Sequence, residues 1–560
     1  MAAANMTGKI ETPVLIVGAG PVGLQLGLDL NWRGIDCLII DQVDGTPVLH
    51  PRAAGISPRT MEFCRRWGIV DQIRSAGFPH DFALNVVYCT SLVGHLIERQ
   101  EYPTLGEQAP VPFSPENKYR CPQTMFDPVL ARTVRASRHA ELRYQHRLES
   151  FSQTDDRVAA RIVDLRTGTP LTVEAQYMIA CDGNGSGIAK TLGIEMTGNP
   201  ALSYSVNAVL SAPTLAKYHD KGSAERYIFV GPAGTWSNMT VVNGRDQWRF
   251  TVIGSEEKMD LRRLDVAAEI RRAFGSDEIP FEILGVVPWR RSELIAGKFR
   301  VGRILLAGDA AHTMSPTGGH GMNTGAEDAV DLGWKLDAVL RGWAGNRLLD
   351  SYEAERRPVA ARNALASSRN FRAWISAEHS GQIMEDSAAG RRTRAEIGKQ
   401  LKDALRIEWD SWGIQLGYRY EGSPICIPDG TPPDPDDPSE YIQSARPGSR
   451  APHAWLPDGR STLDLFGRGF VLLRLGDRSI DVAPLAAAAA ERRVPFAVID
   501  IASPEIRALY GAPLVLVRPD GHTAWRANAA PAEPDFVIDT IRGAATAAHA
   551  PKTPAAAQSH

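Results

Sequence analysis

The chain has 560 residues, 43% of them hydrophobic and 23% charged, with a formal net charge of −3. That length allows two to four domains around a large core, and the balance is ordinary for a soluble globular protein. The near-neutral charge excludes the basic footprint that nucleic acid or an anionic membrane demands, and six cysteines with no C-x-x-C pair exclude a zinc or dithiol spacing and suit a reducing cytoplasm.

The first segment, MAAANMTGKIETP, lacks the basic start of a signal peptide. The run that follows, VLIVGAGPVGLQLGLDL, is about as long as a short membrane span, but its spaced glycines and proline point to a turn. It reads as strand, tight turn, helix, strand. Gly18, Gly20 and Gly23 fit G-x-G-x-x-G: the first allows the sharp turn, the second lets backbone approach a pyrophosphate, and the third lets helix pack on strand. Pro21 suits the first helical turn, whose free N–H groups and positive dipole end favour phosphate. Asp41 closes the second strand at the spacing of a ribose-binding carboxylate. The motif by itself leaves FAD and NAD open.

Arg52 follows in a short loop, with a helix from about Arg59. Residues 80–105 include Tyr88 and His95, and Gln123 precedes another helix. YMIACDGNGSGIAK is a second strand-to-turn segment, with Asp182-Gly183 at its end. Between about 200 and 290, short β-rich runs broken by Gly, Asn and Asp predict an antiparallel sheet with hairpins. Aromatic residues gather there: Tyr227, Trp236 and Trp248, with Trp289 just after.

GRILLAGDAAH is again strand then turn, opening the stretch Ala307–Leu336. Its two histidines, His312 and His320, are eight apart with no cysteine or third histidine nearby, so a metal site is not expected. Several strand ends thus converge, as at the carboxyl edge of a parallel sheet. Downstream come a helical connection, a linker rich in Pro, Asp and Ser, and alternating strands and helices that predict a small α/β domain. The tail AATAAHAPKTPAAAQSH reads as disordered.

These motifs, in this order, resemble the class A flavoprotein aromatic monooxygenases of the para-hydroxybenzoate hydroxylase fold. The resemblance spans roughly residues 12–375 and rests on Gly18–Gly23, Arg52, Asp182-Gly183 and the long GDAAHTMSPTGGHGMNTG pattern from Gly308. One departure is clear. Where the family carries an arginine after its D-G motif, this chain has Ala189, with Lys190 next. The last quarter resembles the thioredoxin-like domain of phenol hydroxylase and related members, but residues 445–560 contain no cysteine.

The fold so implied is α/β. An FAD-binding Rossmann-like domain (12–80, 111–197, 291–375) is interleaved with an antiparallel β-sheet substrate domain (81–110, 198–290). A connection and linker (376–444), a thioredoxin-like domain (445–546) and the tail (547–560) complete it. By resemblance, FAD is held by Gly18, Gly20, Pro21, Gly23, Asp41, Arg52, Gln123, Asp182, Gly308 and Asp309. The loop Pro316, Gly319, Gly321, Met322 and Asn323 lies along the flavin and leads into a helix starting near Thr324. Its N–H groups would stabilise negative charge on the N1–C2=O edge.

The chain shows no second dinucleotide motif, and the resemblance implies that NAD(P)H visits transiently, reduces FAD and leaves. It further implies that O2 adds to the reduced flavin to give a C4a-hydroperoxide, which would attack an electron-rich ring carbon. Tyr227, Trp236, Trp248 and Trp289 are the candidate substrate-facing aromatics. Pro316, through its carbonyl, and His95 or Tyr88 are the candidate catalytic groups. The partner is an aromatic small molecule, with no nucleic acid and no membrane. A phenol is the first reading. Hydroxylation or Baeyer–Villiger oxidation of a polyketide-like ring, or flavin binding without turnover, are the alternatives. A homodimer is the expected assembly if one forms, because relatives with the C-terminal domain are often dimers.

Overall fold

The computed structural model describes residues 8–545 apart from 52, 255, 346, 376–380 and 477. The expected ligand Arg52 and the expected disordered tail (547–560) lie outside the described residues. The chain divides into two compact units. The first comprises Met1–Val330, Arg357–Leu416 and Asp436–Tyr441, and the second Asp331–Arg356, Gly417–Pro435 and Ile442–His560.

The first unit is built on two eight-stranded sheets. In one, Ile304–Leu306, Pro170–Ala180, Gly8–Val17, Cys37–Asp41 and Ala140–Tyr144 run parallel side by side. Val14–Val17 and Cys37–Ile40 are buried, so the strands read as continuous apolar runs, as expected for a sheet covered on both faces. The helix Pro21–Arg33 follows the first strand. Proline opens it, no side chain caps its N-terminus, and Gly34 at φ 76° ends it in the left-handed conformation. Register sets Val17 beside Ala180 and Ala180 beside Leu306, so three strand ends share one edge.

The other sheet runs His312–Thr313, Glu282–Ala296, Met196–Ser211, Gln247–Ile253, Gly234–Val241, Arg226–Gly231, Val86–Cys89 and Leu96–Gln100. It is antiparallel, as expected, except that Arg226–Phe229 pair in parallel with Val86–Cys89. Because side chains alternate along a strand, its two faces differ in chemistry. One face carries Tyr227, Phe229, Met239, Trp248 and Phe250 into a core with Ile270 and Phe274 of the helix Val266–Phe274. The opposite face carries a row of cross-strand neighbours: Tyr88, Ile228, Asn238, Thr251 and Asn207.

The second unit holds a four-stranded sheet ordered Phe496–Ile501, Phe470–Leu475, Leu514–Val517, Thr523–Ala527. The first pair is parallel and the other two antiparallel. Both faces are buried, Phe470 and Leu472 on one side and Val471 and Leu473 on the other. Trp334 and Trp343 pack against Phe470. That is why residues 331–356, read from sequence as lying within the third part of the cofactor domain (291–375), group with the C-terminal segment. A buried ion network reinforces the grouping. Arg518 pairs with Glu355 (2.5 Å), Asp520 (2.6 Å) and Asp331 (3.2 Å), and Lys335 with Glu355 (2.6 Å) and Asp331 (2.7 Å). No helix among the described residues is long and apolar enough to cross a membrane.

Candidate functional site

The glycine turn behaves as its spacing predicts. A Cβ on Gly18 (φ 111°) would stand 2.1 Å from the Cys181 carbonyl oxygen, and one on Gly23 would stand 2.0 Å from the Gly18 carbonyl oxygen. Bare backbone is therefore what lets the turn sit between strand and helix. A Cβ on Gly20 would meet nothing within 4 Å, so this glycine faces open space, as a pyrophosphate approach requires. Asp41 grips the same turn: its Oδ2 accepts from Ala19 N at 2.7 Å and its Oδ1 from Val43 N at 3.1 Å. A carboxylate has about four acceptor sites, so capacity for ribose hydroxyls remains.

Three further elements reach this edge. Gln123 opens the helix Gln123–Arg135, and its Nε2 donates to Asp127 Oδ2 at 2.9 Å. Burial pushes the Asp127 carboxyl up to about 7. Asp182 accepts from Ile188 N through Oδ2 at 3.3 Å, while its Oδ1 is buried without a hydrogen-bond partner, an acceptor waiting for a donor. Gly308 (φ 60°) packs on Val22 and places Asp309, half-buried, in the single turn Gly308–Ala310. Open glycine, orphaned carboxylate oxygen and uncapped helix N-terminus together fit the FAD expected from the sequence.

The glycine-rich loop is held from several directions. His312 Nε2 and Asp328 Oδ2 are 2.7 Å apart and wholly buried, and Asp328 Oδ2 also accepts from Gly308 N at 3.1 Å. His312 is thus a strut between turn and helix. The helix starts at His320, not near Thr324 as expected, because Gly318 (φ 90°) and Gly319 (φ 69°) complete the turn earlier. Gly321 has no left-handed φ, and its Cβ would meet only Met314 Cγ at 3.6 Å, so the protein itself does not demand bare backbone there. Met322, beside it, is half-buried.

Asn323 does not project toward a ligand. Its Oδ1 accepts from Ser57 N (2.9 Å) and Thr60 Oγ1 (2.8 Å), and its Nδ2 donates to Gly55 O (3.1 Å) and Gly319 O (2.8 Å). It pins the loop to the segment after Arg52. Pro316 is exposed, and its carbonyl already accepts from Gly319 N at 3.0 Å, leaving one lone pair. His320 is buried with Nε2 unpartnered. Burial, then the neighbouring Arg362 charge, hold its imidazole down at about 4, so it stays neutral.

The structure divides the candidate aromatics. Tyr227, Trp248 and Trp236 lie on the face packed against the helix Val266–Phe274, with Arg272 stacked over Trp236 at 4.0 Å. They are core on the side away from the polar row, which corrects the expectation that they face the substrate. Trp289 alone is on the polar face, its Nε1 donating to Asn207 Oδ1 at 3.0 Å. His95 sits in the turn after Thr90. That turn is tied by Leu92 N to Ala273 O and Val93 N to Phe274 O, at the end of the helix on the other side. Tyr88 is on the polar face but packed under Trp374, Ile397 and Leu401. Burial, then the Glu408 charge, push its hydroxyl far up, so it can donate a proton bond but not act as a base.

Sequence reasoning missed Arg249 and Arg291. Both lie on the polar face, across the sheet from Val209 and Ser203 respectively. Arg249 Nη1 donates to Pro51 O at 2.7 Å, and Arg291 stacks on Phe371 at 3.7 Å. The usable signal was the two-residue period that puts Arg291 on the same side as Trp289. Two adjacent arginines, Arg290 and Arg291, hid which one faces inward.

Comparison with known proteins agrees with this geometry. The profile of the FAD binding domain family matches residues 11–367, and that of the aromatic-ring hydroxylase C-terminal family matches 444–547. A putative polyketide hydroxylase of Streptomyces halstedii is 35% identical over 552 residues, covering 92% of this chain and 94% of its own. The phenol 2-monooxygenase of a Pseudomonas strain is 31% identical over 586 residues, covering 96% and 94%. The rebeccamycin biosynthetic enzyme RebC, solved with reduced flavin, superposes with a TM-score of 0.90 at 41% identity, covering 96% of this chain and all of that one.

Proposed function

The chain belongs to the class A flavoprotein aromatic monooxygenases, and from that premise we propose that it hydroxylates an extended, polyketide-like aromatic ring system. It is an FAD-dependent aromatic hydroxylase that uses NAD(P)H and O2. What remains for this reading is the ring. The relatives carry it: a putative polyketide hydroxylase matches 92% of this chain at 35% identity, and the rebeccamycin biosynthetic enzyme RebC superposes on 96% of it at 41%, against 31% for the phenol 2-monooxygenase.

The roles of this chain's residues follow from their placement. The turn at Gly18–Gly23 and the helix behind it would hold the pyrophosphate, and Asp41, Asp182 and Asp309 would accept cofactor hydroxyls. Bound FAD supplies the activation of O2 that no side chain can provide. The N–H groups of the first helical turn from His320 would face the reduced ring's charge, and a neutral His320 leaves that field undisturbed. Trp289 and Phe371 would exclude water from the reacting face. The remaining lone pair of the Pro316 carbonyl would take a substrate hydroxyl. In the second unit, the strand order and the absence of cysteine from 445–560 support a thioredoxin-like domain that acts in packing, not electron transfer.

The test is NAD(P)H oxidation by the FAD-loaded protein with simple phenols and with hydroxylated polycyclic aromatics, measuring peroxide and product mass together. The expected result is coupled addition of one oxygen to a polycyclic compound. Coupled turnover of simple phenols alone would refute the reading, and product mass with fragmentation separates hydroxylation from insertion into the ring.

A further inference from the structure

The helix Gln123–Arg135 leads into the parallel strand Ala140–Tyr144, as Pro21–Arg33 follows the parallel strand Gly8–Val17. Both helices run back against their strands, so both begin at the carboxyl edge, and they pack on one another. Neither has a side-chain cap. Gln123 therefore stands in the opening turn of a helix at the edge that fits the pyrophosphate. Its Nε2 donates to Asp127 Oδ2 at 2.9 Å, one helical turn on. Asp127 Oδ1 is buried without a partner, and among the described residues no cation pairs with this carboxyl.

The surrounding elements supply no charge to it. Cys121, just before the helix, and Tyr144, on the next strand, both feel Asp127, and burial keeps both neutral. Beyond Tyr144 lie Arg135, over its ring at 5.3 Å, and Asp41, which accepts from Ala19 N. On the helices and strand packed against Gln123–Arg135 the cations are taken: Arg33 by Asp29, Arg74 by Glu116 and Arg143 by Glu141. Asp71 is exposed. A buried carboxylate with one neutral donor is costly, and burial pushes this carboxyl up to about 7 against the opposing Gln123 hydrogen bond. Both forms are then populated near neutrality, and they present Gln123 differently. The ionised form only accepts, so it holds the amide by Nε2 and turns Oε1 outward. The neutral form has an O–H that can donate to Oε1 and turn Nε2 outward. A pyrophosphate oxygen only accepts, so it selects the second.

We propose that Asp127 is a proton-dependent positioning residue for FAD: as the neutral acid it donates to Gln123 Oε1 and aims the amide Nε2 at a pyrophosphate oxygen of the cofactor. The proposal rests on the reading that Gln123 faces FAD. Binding then takes up a proton, held on Asp127. Affinity is full below the value of the FAD-free site and is lost as pH rises through it.

The experiment dilutes the full-length holoenzyme at pH 6, 7 and 8 and reads released FAD at equilibrium by flavin fluorescence. The wild type, Asp127→Asn and Gln123→Met are compared. The wild-type dissociation constant is expected to rise about tenfold from pH 6 to pH 8. In Asp127→Asn an amide N–H donates to Gln123 at every pH, so the constant should stay flat, within about twofold of the wild type at pH 6. Gln123→Met should bind FAD more weakly at pH 6 and also show no slope. A flat or opposite slope in the wild type overturns the proposal, and so does a wild-type slope that survives in either variant. If Asp127→Asn does not fold, Gln123→Met decides. FAD retained with a flat constant sinks the proton dependence and leaves the cofactor reading standing. A wild type that holds no FAD at any pH overturns both.

Discussion

His320 should make the protein's stability depend on pH in a defined window. It opens the helix His320–Leu340, buried, at the positive end of the helix dipole, with Nε2 unpartnered and Arg362 nearby. Its folded value of about 4 lies below the ~6.5 of an unfolded chain. Between these values the unfolded state binds more protons, so stability is full above the unfolded value and falls as pH drops through the window. At ~1.4 kcal/mol per pH unit the gap caps the effect at roughly 3 kcal/mol. Between pH 7.5 and pH 5 it gives about 2 kcal/mol. Urea unfolding of the FAD-saturated protein, followed by tryptophan fluorescence at both pH values, measures it for the wild type and for His320→Gln. The variant cannot titrate there and should lose about 2 kcal/mol less on acidification. Equal losses in the two proteins would show that His320 is not held neutral by its surroundings.

Other consequences are as direct. Asp309→Ala should weaken FAD binding by about 1–3 kcal/mol through hydroxyls left unpaired, read by flavin release on dilution; unchanged retention removes Asp309 from the site. Asn323→Ala severs three hydrogen bonds that join the loop to Gly55, Ser57 and Thr60 and a fourth to Gly319, and should cost about 1–3 kcal/mol of stability and speed flavin loss. A normal flavin off-rate in that variant would count against the pin. Gly319→Ala, at φ 69°, should cost about 1–2 kcal/mol while Gly321→Ala folds normally; equal melting temperatures would place the strain elsewhere. Arg518→Met strands Asp331, Glu355 and Asp520 around one lysine and should destabilise the second unit by about 3–5 kcal/mol, visible as an earlier unfolding step by calorimetry. An unshifted transition would mean that the network contributes nothing.

The cofactor half of the site was legible in the sequence because its constraints are local. A turn between a buried strand and a helix needs glycine where a Cβ would strike backbone, and Gly18 and Gly23 meet that condition within a few residues of chain. The strand-end carboxylates Asp41, Asp182 and Asp309 stand at fixed offsets from such turns, so their order along the chain carried the family resemblance. The substrate half was not legible, because alternation shows which residues share a face but not which face is covered. Only the docking of Val266–Phe274 decided that Tyr227, Trp236 and Trp248 are core and that Trp289 is not. The pin from Asn323 joins residues 266 apart in sequence, and the unpaired oxygen of Asp127 depends on which donors the fold brings near. Both are properties of long-range packing. The same holds for residues 331–356. Their helical pattern is plain in the sequence, but the partner they bury against, Phe470 and its sheet, is chosen by tertiary contact more than a hundred positions downstream.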